Sequence, residues 1–301
     1  MQASKRIRKI GAFLDRERVA GLICTLPFTV GLCLFLIIPM LISAYYSFCD
    51  FDILSAPVFI GLGNFTRMAA DAKFWKTLSV TFFYAFMSVP LKLIFALLVA
   101  EILLKTSRVS GLYRAVYYLP SIIGGSVAVS ILWKRMFASN GSFNAILQSM
   151  GIPCSISWLG NVDTAIWILI LMTVWQFGSS MLIFLASLKQ IPSTLYEAAR
   201  VDGGNGPQQF FRITLPLLTP TIFFNLVMGV INGFLAFNQS YIITQGKPLN
   251  STLFYTVYMY QQSFEYYKAG YGAALAWVML LIIGLFTGLL FLTKRFWVYE
   301  E

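Results

Sequence analysis

Six long apolar segments divide this chain, and the stretches between them are polar, charged or rich in glycine and proline. Each segment reaches the length of about 20 residues that a helix needs to cross the hydrocarbon core of a bilayer. Runs of this length lack the short alternation of a membrane β-barrel, so helices are predicted. The pattern predicts an all-α membrane protein with six transmembrane helices, over residues 20–48, 78–104, 115–137, 164–188, 215–240 and 270–293.

Polar side chains recur at helical spacing inside three of the predicted spans. At 100° per residue, five positions of the fifth span fall within an arc of about 80°: Asn225, Gly229, Asn232, Ala236 and Gln239. Similar stripes are Thr173, Gln176, Ser180 and Ser187 on the fourth span, and Thr81, Tyr84, Ser88 and Lys92 on the second. Because polar side chains in lipid tend to face the bundle or a cavity, these stripes could line a solute pathway. The alternative is helix packing, for which Gly229 and Gly233 form a contact motif.

A lining of amides and hydroxyls would suit a neutral, polyhydroxylated solute and would suit an ion poorly. The residues predicted to line the pathway are Tyr84, Ser88, Lys92, Gln176, Ser180, Asn225, Asn232 and Gln239. Lys92 stands apart, because a lysine deep in a span costs roughly 2.5–3.5 kcal/mol on insertion scales. It could face the pathway, pair with a neighbouring subunit or bind an acidic group on the substrate.

Composition supports the membrane assignment. Hydrophobic residues make up 58% of the chain and charged residues only 11%, whereas a soluble domain has about 25% charged residues. The first apolar segment is too long for the hydrophobic region of a signal peptide and lacks a cleavage site. It is therefore predicted to remain as a span.

The positive charge is concentrated on one side of the predicted membrane. With the N-terminus in the cytoplasm, the inner stretches hold fourteen Lys and Arg residues and the outer stretches hold seven. By the positive-inside rule, the basic tail at 1–19 and the tail at 296–301 are both predicted to be cytoplasmic, on either side of a membrane domain at 20–295. No basic patch with interleaved aromatic residues follows the first tail, so nucleic acid is not a predicted partner.

Several chemistries are disfavoured by what the sequence lacks. It has no histidine, which removes the usual general base and the commonest metal ligand. The four cysteines show no CxxC spacing, so no metal site is predicted. Cys49 and Cys154 could form a disulfide outside the membrane or remain unpaired. No GxxxxGK[ST] segment occurs, so the chain is not expected to hydrolyse ATP by itself.

A polar loop at 189–216 separates the fourth and fifth predicted spans, and it has the features of two short helices with a break between them. Thr194 and Glu197 have the spacing of a capping box. Gly203 and Gly204 predict the end of the first helix, and Pro207 stands near the start of the second. Such a helix pair could dock into a groove of another protein or lie as an amphipathic linker on the lipid headgroups.

The same loop resembles the EAA loop of bacterial ABC-importer permeases. The matching positions are Glu197-Ala198-Ala199, Gly203, Ile213 and Leu215-Pro216. The resemblance implies a cytoplasmic coupling helix that docks into an ATPase subunit, with Glu197 paired to a basic residue of that subunit and Gly203 permitting the turn. The expected coupling residues are Glu197, Ala198, Ala199, Asp202, Gly203 and Pro216. Many members read "DGA" where this chain has Asp202-Gly203-Gly204, which we expect to loosen the turn slightly.

Other segments, among them "GLGNFTRM", "YRAVYYLPSI" and "ITQGKPLNSTLFYTVYMYQQSF", are similar to the carbohydrate-importer group related to the maltose and glycerol-phosphate permeases. This resemblance implies a subunit of a carbohydrate importer in the bacterial cytoplasmic membrane. The implied partners are a second homologous permease, two cytoplasmic ABC ATPase subunits and an extracytoplasmic solute-binding protein. No cofactor is expected on this chain, since ATP and Mg would be bound by the ATPases.

Two alternatives remain open from the sequence. The cargo could be a charged sugar, a polyamine or an amino acid. The chain could also be a self-sufficient secondary transporter, although it has no visible internal 3+3 repeat and no chain of buried carboxylates for ion coupling.

Overall fold

The computed structural model describes residues 17–104, 110–153 and 155–299 of the chain. Most of the predicted basic tail and Cys154 lie outside the described residues. The α-helices are α1 (Glu17–Leu32), α2 (Ile38–Ser47), α3 (Gly63–Ala70), α4 (Ala72–Leu104), α5 (Ser110–Ile123), α6 (Val127–Met136), α7 (Ser142–Ser149), α8 (Val162–Trp175), α9 (Gly178–Leu188), α10 (Ser193–Val201), α11 (Gly206–Gln209), α12 (Leu215–Phe234), α13 (Tyr255–Tyr260) and α14 (Ala269–Trp297).

Short π-helical segments extend several of these helices. They cover Cys33–Ile37, Phe210–Thr214, Gln239–Thr244 and Gln261–Glu265. Two short strands, β1 (Cys49–Asp50) and β2 (Val58–Phe59), pair antiparallel with Cys49 opposite Phe59. The predicted all-helical class is therefore correct for the bulk of the described chain.

Four continuous helical segments are long and apolar enough to cross a membrane. They are Cys24–Ser47, Ala72–Leu104, Gly206–Thr244 and Ala269–Trp297. Two further predicted spans are bent helix pairs: α8 and α9 meet at 42°, and α5 and α6 meet at 96°. The described residues thus contain four candidate spans, or six when each bent pair counts as one.

The prediction of one continuous helix over 115–137 is wrong. The helix breaks at Gly124 and Gly125, and Ser126 begins α6 by accepting a hydrogen bond from the backbone N–H of Val129 at 3.3 Å. A side chain at Gly124 would lie 2.4 Å from Cδ of Gln176. Glycine therefore permits a close approach of the two bent pairs, and the Gly-Gly-Ser sequence marks the break.

Helix α4 lies at the centre of the bundle and packs against α8, α9 and α12. At Gly229 an added Cβ would lie 2.7 Å from Val89, and at Gly233 it would lie 3.2 Å from Cβ of Ala85. The Gly229–Gly233 motif therefore forms a helix–helix contact, as one of the two interpretations of the sequence expected. By contrast, the apolar part of the first candidate span is not buried within this chain, and Phe28 is 73% exposed.

Candidate functional site

A cavity of about 460 Å³ lies between the central helix α4 and helices α8, α9 and α12. The three polar stripes that the sequence placed on separate spans meet in its wall. All eight residues predicted for the pathway line it: Tyr84, Ser88, Lys92, Gln176, Ser180, Asn225, Asn232 and Gln239. The structure thus brings all eight predicted residues to one cavity. The role of this cavity in transport stays a prediction.

Not every residue of the stripes faces this cavity. Thr81 accepts a hydrogen bond from the backbone N–H of Tyr255 at 2.8 Å, and the hydroxyls of Ser187 and Thr221 lie 2.8 Å apart. These contacts join helices to their neighbours, so helix packing is the better interpretation for Thr81 and Ser187. Thr173 does line the cavity, and its Oγ1 lies 2.6 Å from the hydroxyl of Tyr84.

Hydrogen bonds between α5 and the bend that separates α8 from α9 fix part of the cavity wall. The hydroxyl of Ser121, in α5, donates to the carbonyl oxygen of Gln176 at 3.0 Å and accepts from the backbone N–H of Ser179 at 3.1 Å. A Cβ at Gly178 would lie 2.4 Å from the carbonyl oxygen of Tyr117. Ser179 lines the cavity and was not predicted, although the nearby Gly178 marks the bend that exposes it.

The amide side chains of the lining present hydrogen-bond acceptors. Asn225, Asn232 and Gln176 each donate through the amide nitrogen to a carbonyl four residues earlier in the chain, at 3.0, 2.8 and 3.3 Å. Within the described part of the chain, none of the three amide oxygens accepts a hydrogen bond in return. Among the described residues that line the cavity, none is Asp or Glu, and Lys92 alone is charged. The site can therefore accept hydrogen bonds from hydroxyl groups and offers one cation.

Helix α10 carries Glu197, Ala198 and Ala199 and has no buried side chain. Asp202 and Gly203 follow it directly, whereas Pro216 lies in the first turn of α12. Glu197, Ala198, Asp202 and Gly203 are exposed. Gly203 ends the helix with a φ of +79°, and the next N–H, of Gly204, donates to the carbonyl of Ala199 at 2.7 Å. This is the glycine-terminated helix end that the sequence predicted.

The capping box predicted for Thr194 and Glu197 is wrong. Pro192, in extended conformation, takes the N-cap position, so Thr194 lies within the first turn and makes no cap. The capping box forms instead before α11, where the side chains of Asn205 and Gln208 each accept from the other residue's backbone N–H at 3.0 Å. Asn205 was not predicted as a cap, although its spacing to Gln208 fits the same rule.

One side-chain contact that was not predicted joins α10 to the next span. The hydroxyl of Tyr196 lies 2.9 Å from the hydroxyl of Thr214, which is buried immediately before α12. The helix that carries the EAA residues is thereby connected to the helix that carries Asn225 and Asn232.

Asp71, the residue immediately before α4, connects the start of α4 to two distant helices, α13 and α14. Its carboxylate accepts hydrogen bonds from the hydroxyls of Tyr258 and Tyr271, the latter at 2.9 Å, and from the backbone N–H of Lys73 at 2.8 Å. Burial raises the pKa of the Asp71 carboxyl, but the hydrogen bonds outweigh it and the pKa is lowered on balance. Cys49 is buried with a free thiol, and Cys154, the other cysteine expected outside the membrane, lies outside the described residues.

The fold and the cavity are those of a multi-pass membrane protein with a polar site between its helices. Residues 60–296 match the family described as "Binding-protein-dependent transport system inner membrane component". The chain belongs to this family of transport permeases, which are not enzymes. The resemblance predicted from the EAA loop is confirmed.

Named relatives cover nearly the whole chain. The "Probable ABC transporter permease protein YesP" of Bacillus subtilis (strain 168) is 50% identical over 304 residues, covering 100% of this chain and 96% of that protein. The "Probable starch degradation products transport system permease protein AmyD" of Thermoanaerobacterium thermosulfurigenes is 32% identical over 271 residues, covering 89% and 92%.

A solved structure has the same fold. It is described as the "crystal structure of bacterial alginate ABC transporter in complex with alginate pentasaccharide-bound periplasmic protein". Its matching chain has a TM-score of 0.81 at 20% identity, and the match covers 94% of this chain and 96% of that one.

Proposed function

We propose that this chain is the transmembrane subunit of a bacterial ATP-driven importer for a carbohydrate, and that α10 is its coupling helix. The observation that carries the proposal is the exposed α10, which is connected to a polar cavity through α12. Together with the turn that follows it, α10 keeps five of the expected coupling residues at or beside the surface: Glu197, Ala198, Ala199, Asp202 and Gly203. The amide and hydroxyl lining suits sugar hydroxyls, and relatives are named for the transport of starch degradation products, arabinooligosaccharides and lactose.

The surface around α10 supports docking to a soluble partner. Val201, one helical turn after Glu197, is 88% exposed, and Phe211, in the π-helical segment before α12, is 64% exposed. Apolar side chains around a charge suit a protein groove, in which Glu197 would pair with a basic residue of the ATPase. ATP and Mg would be bound by two such ATPase subunits and none by this chain.

Movement of α10 would reach the cavity through the contact between Tyr196 and Thr214 at the start of α12. Closure of the ATPases would then turn the permeases as rigid bodies and switch the cavity from inward-open to outward-open. This is alternating access without covalent chemistry on the chain.

The complete assembly would contain a second homologous permease and an extracytoplasmic solute-binding protein. The exposed first candidate span supports contact with another membrane subunit or with lipid. We expect six spans in the bacterial cytoplasmic membrane, and the excess of Lys and Arg on the inner stretches favours the orientation with both termini and α10 in the cytoplasm.

Co-purification from native membranes in mild detergent tests the proposal. The tagged chain should retain an ATPase and a second permease, whereas a Glu197→Ala, Gly203→Asp double variant should lose only the ATPase. A matched control combines Glu265→Ala with Gly61→Asp, because Glu265 is exposed outside α10 and Gly61 also has a positive φ, of +60°. Wild-type protein that carries no ATPase, or a control that loses it equally, would contradict the role of α10.

A further inference from the structure

We propose that Lys92 makes the pathway selective for oligosaccharides that carry a carboxylate, such as those containing uronic acid units. This inference rests on the proposed import of carbohydrate and names the substrate class of the same cavity. It assigns to Lys92 a binding role that the coupling residues and the amide lining do not supply.

Lys92 lies well inside the 33-residue helix α4 and is half-buried in the cavity wall. In the part of the chain that the structure describes, its ammonium group makes no hydrogen bond or ion pair. Other cations have neighbours: Arg67 lies 5.0 Å from the ring centre of Tyr271, and Lys73 lies 5.3 Å from that of Tyr258. An uncompensated charge at this depth is costly, which favours a partner that arrives from outside the chain.

The surroundings of Lys92 favour an anion as that partner. None of the described residues that line the cavity is acidic, so none of them neutralises the ammonium group. Ser88, one helical turn away, is fully buried, and its hydroxyl has no hydrogen-bond partner among the described residues. The two side chains share one face of α4 and offer an ammonium and a hydroxyl donor. A carboxylate accepts hydrogen bonds at both oxygens and matches this pair.

The rest of the lining explains why the anion should belong to a sugar. The amide oxygens of Asn225, Asn232 and Gln176 accept no hydrogen bond within the described chain and suit the hydroxyl donors of a sugar ring. Hydroxyl recognition alone distinguishes poorly between a sugar with a hydroxymethyl group and its oxidised counterpart with a carboxylate. Lys92 supplies the difference, because its charge-assisted hydrogen bond is available only to the carboxylate.

The test uses the complete importer in proteoliposomes, supplied with ATP and its binding protein. The probes are dimers of galacturonate, glucuronate and mannuronate, each beside its neutral disaccharide. We expect the wild type to take up at least one uronate dimer faster than its neutral partner. Lys92→Met should lower uronate uptake about tenfold to a hundredfold, the equivalent of one lost charge-assisted hydrogen bond, and Lys92→Arg should retain most of it.

Lys76→Met is the matched control, since it removes an exposed lysine of the same helix roughly 24 Å away along α4. Its ratio of uronate to neutral uptake should equal that of the wild type. Asn232→Asp adds a negative charge to the cavity without altering Lys92. It should lower uronate uptake more than neutral uptake, and it decides the matter if Lys92 variants fail to assemble.

Three results would overturn the inference. They are preference of the wild type for neutral sugars, full uronate uptake by Lys92→Met, and equal effects of Asn232→Asp on both kinds of sugar. In each of these cases ATP-driven sugar uptake still occurs, so the proposed function stands. If the wild type takes up no carbohydrate with ATP, the proposed function itself fails and the inference fails with it.

Discussion

Gly203 closes α10 in the left-handed region of backbone conformation, with a φ of +79°. A residue with a Cβ pays about 1–2 kcal/mol to occupy this region. We therefore expect Gly203→Ala to distort the end of α10 and weaken ATPase binding by up to about tenfold. The measurement is the ATPase retained on the tagged complex during dilution. Gly206→Ala is the control, because Gly206 has open space and no positive φ; equal retention by both variants would contradict this account of the turn.

Gly229 lies at a close contact between α4 and α12, where an added Cβ would lie 2.7 Å from Val89. Gly229→Ala should overpack the contact and destabilise the protein by about 1–3 kcal/mol. Because the clash is with one side chain, Val89→Ala should relieve part of it. Thermal unfolding of the four proteins of this double-mutant cycle measures the coupling. Strictly additive losses would show that Gly229 does not act through Val89.

At the scale of elements, Asp71 fastens the start of α4 to α13 and α14 through two tyrosine hydroxyls. Its carboxyl pKa is lowered in the folded chain, so its stabilising effect is present above the usual carboxyl pKa of about 3.9 and is lost as the pH falls through the lowered value. The difference in melting temperature between wild type and Asp71→Asn should therefore be largest at about pH 6 and should shrink towards about pH 3.

Asp52→Asn provides the comparison for this pH series, since Asp52 is exposed. At about pH 6, the melting temperature of Asp52→Asn should lie closer to that of the wild type than the melting temperature of Asp71→Asn does. A gap for Asp71→Asn that stays constant across the series would mean that the charge of Asp71 contributes nothing to the contact.

Local sequence pattern predicts part of this architecture, and the rest depends on contacts between residues that are far apart in the chain. Helical periodicity predicted that Lys92, Gln176 and Asn232 each lie on the polar face of their own helix. These faces line one cavity, because side chains on one face of a buried helix share their surroundings. The 96° bend of the third predicted span was missed, since a Gly-Gly pair in an apolar run is also compatible with a continuous helix. The Asp71 contacts join residues 187 and 200 positions apart, for which periodicity offers no guide.

At the scale of the whole molecule, the coupling route that we propose from α10 to the cavity passes through the hydroxyls of Tyr196 and Thr214, which lie 2.9 Å apart. Tyr196→Phe removes one hydrogen bond, worth about 1 kcal/mol, and leaves the ATPase-facing surface unchanged. We expect the ATPase to remain bound while the number of solute molecules imported per ATP falls. Simultaneous measurement of uptake and ATP hydrolysis in proteoliposomes checks this, and an unchanged ratio would place the coupling route elsewhere.

We expect this permease to import a carbohydrate with energy supplied by separate ATPase subunits. Uptake of a labelled oligosaccharide is measured in proteoliposomes that contain the chain, its second permease and the ATPases. Uptake should occur only when ATP is on the ATPase side and the binding protein is on the other, and it should be lost in the Glu197→Ala, Gly203→Asp variant. Uptake by this chain alone, driven by a proton or sodium gradient without ATPase, would contradict it.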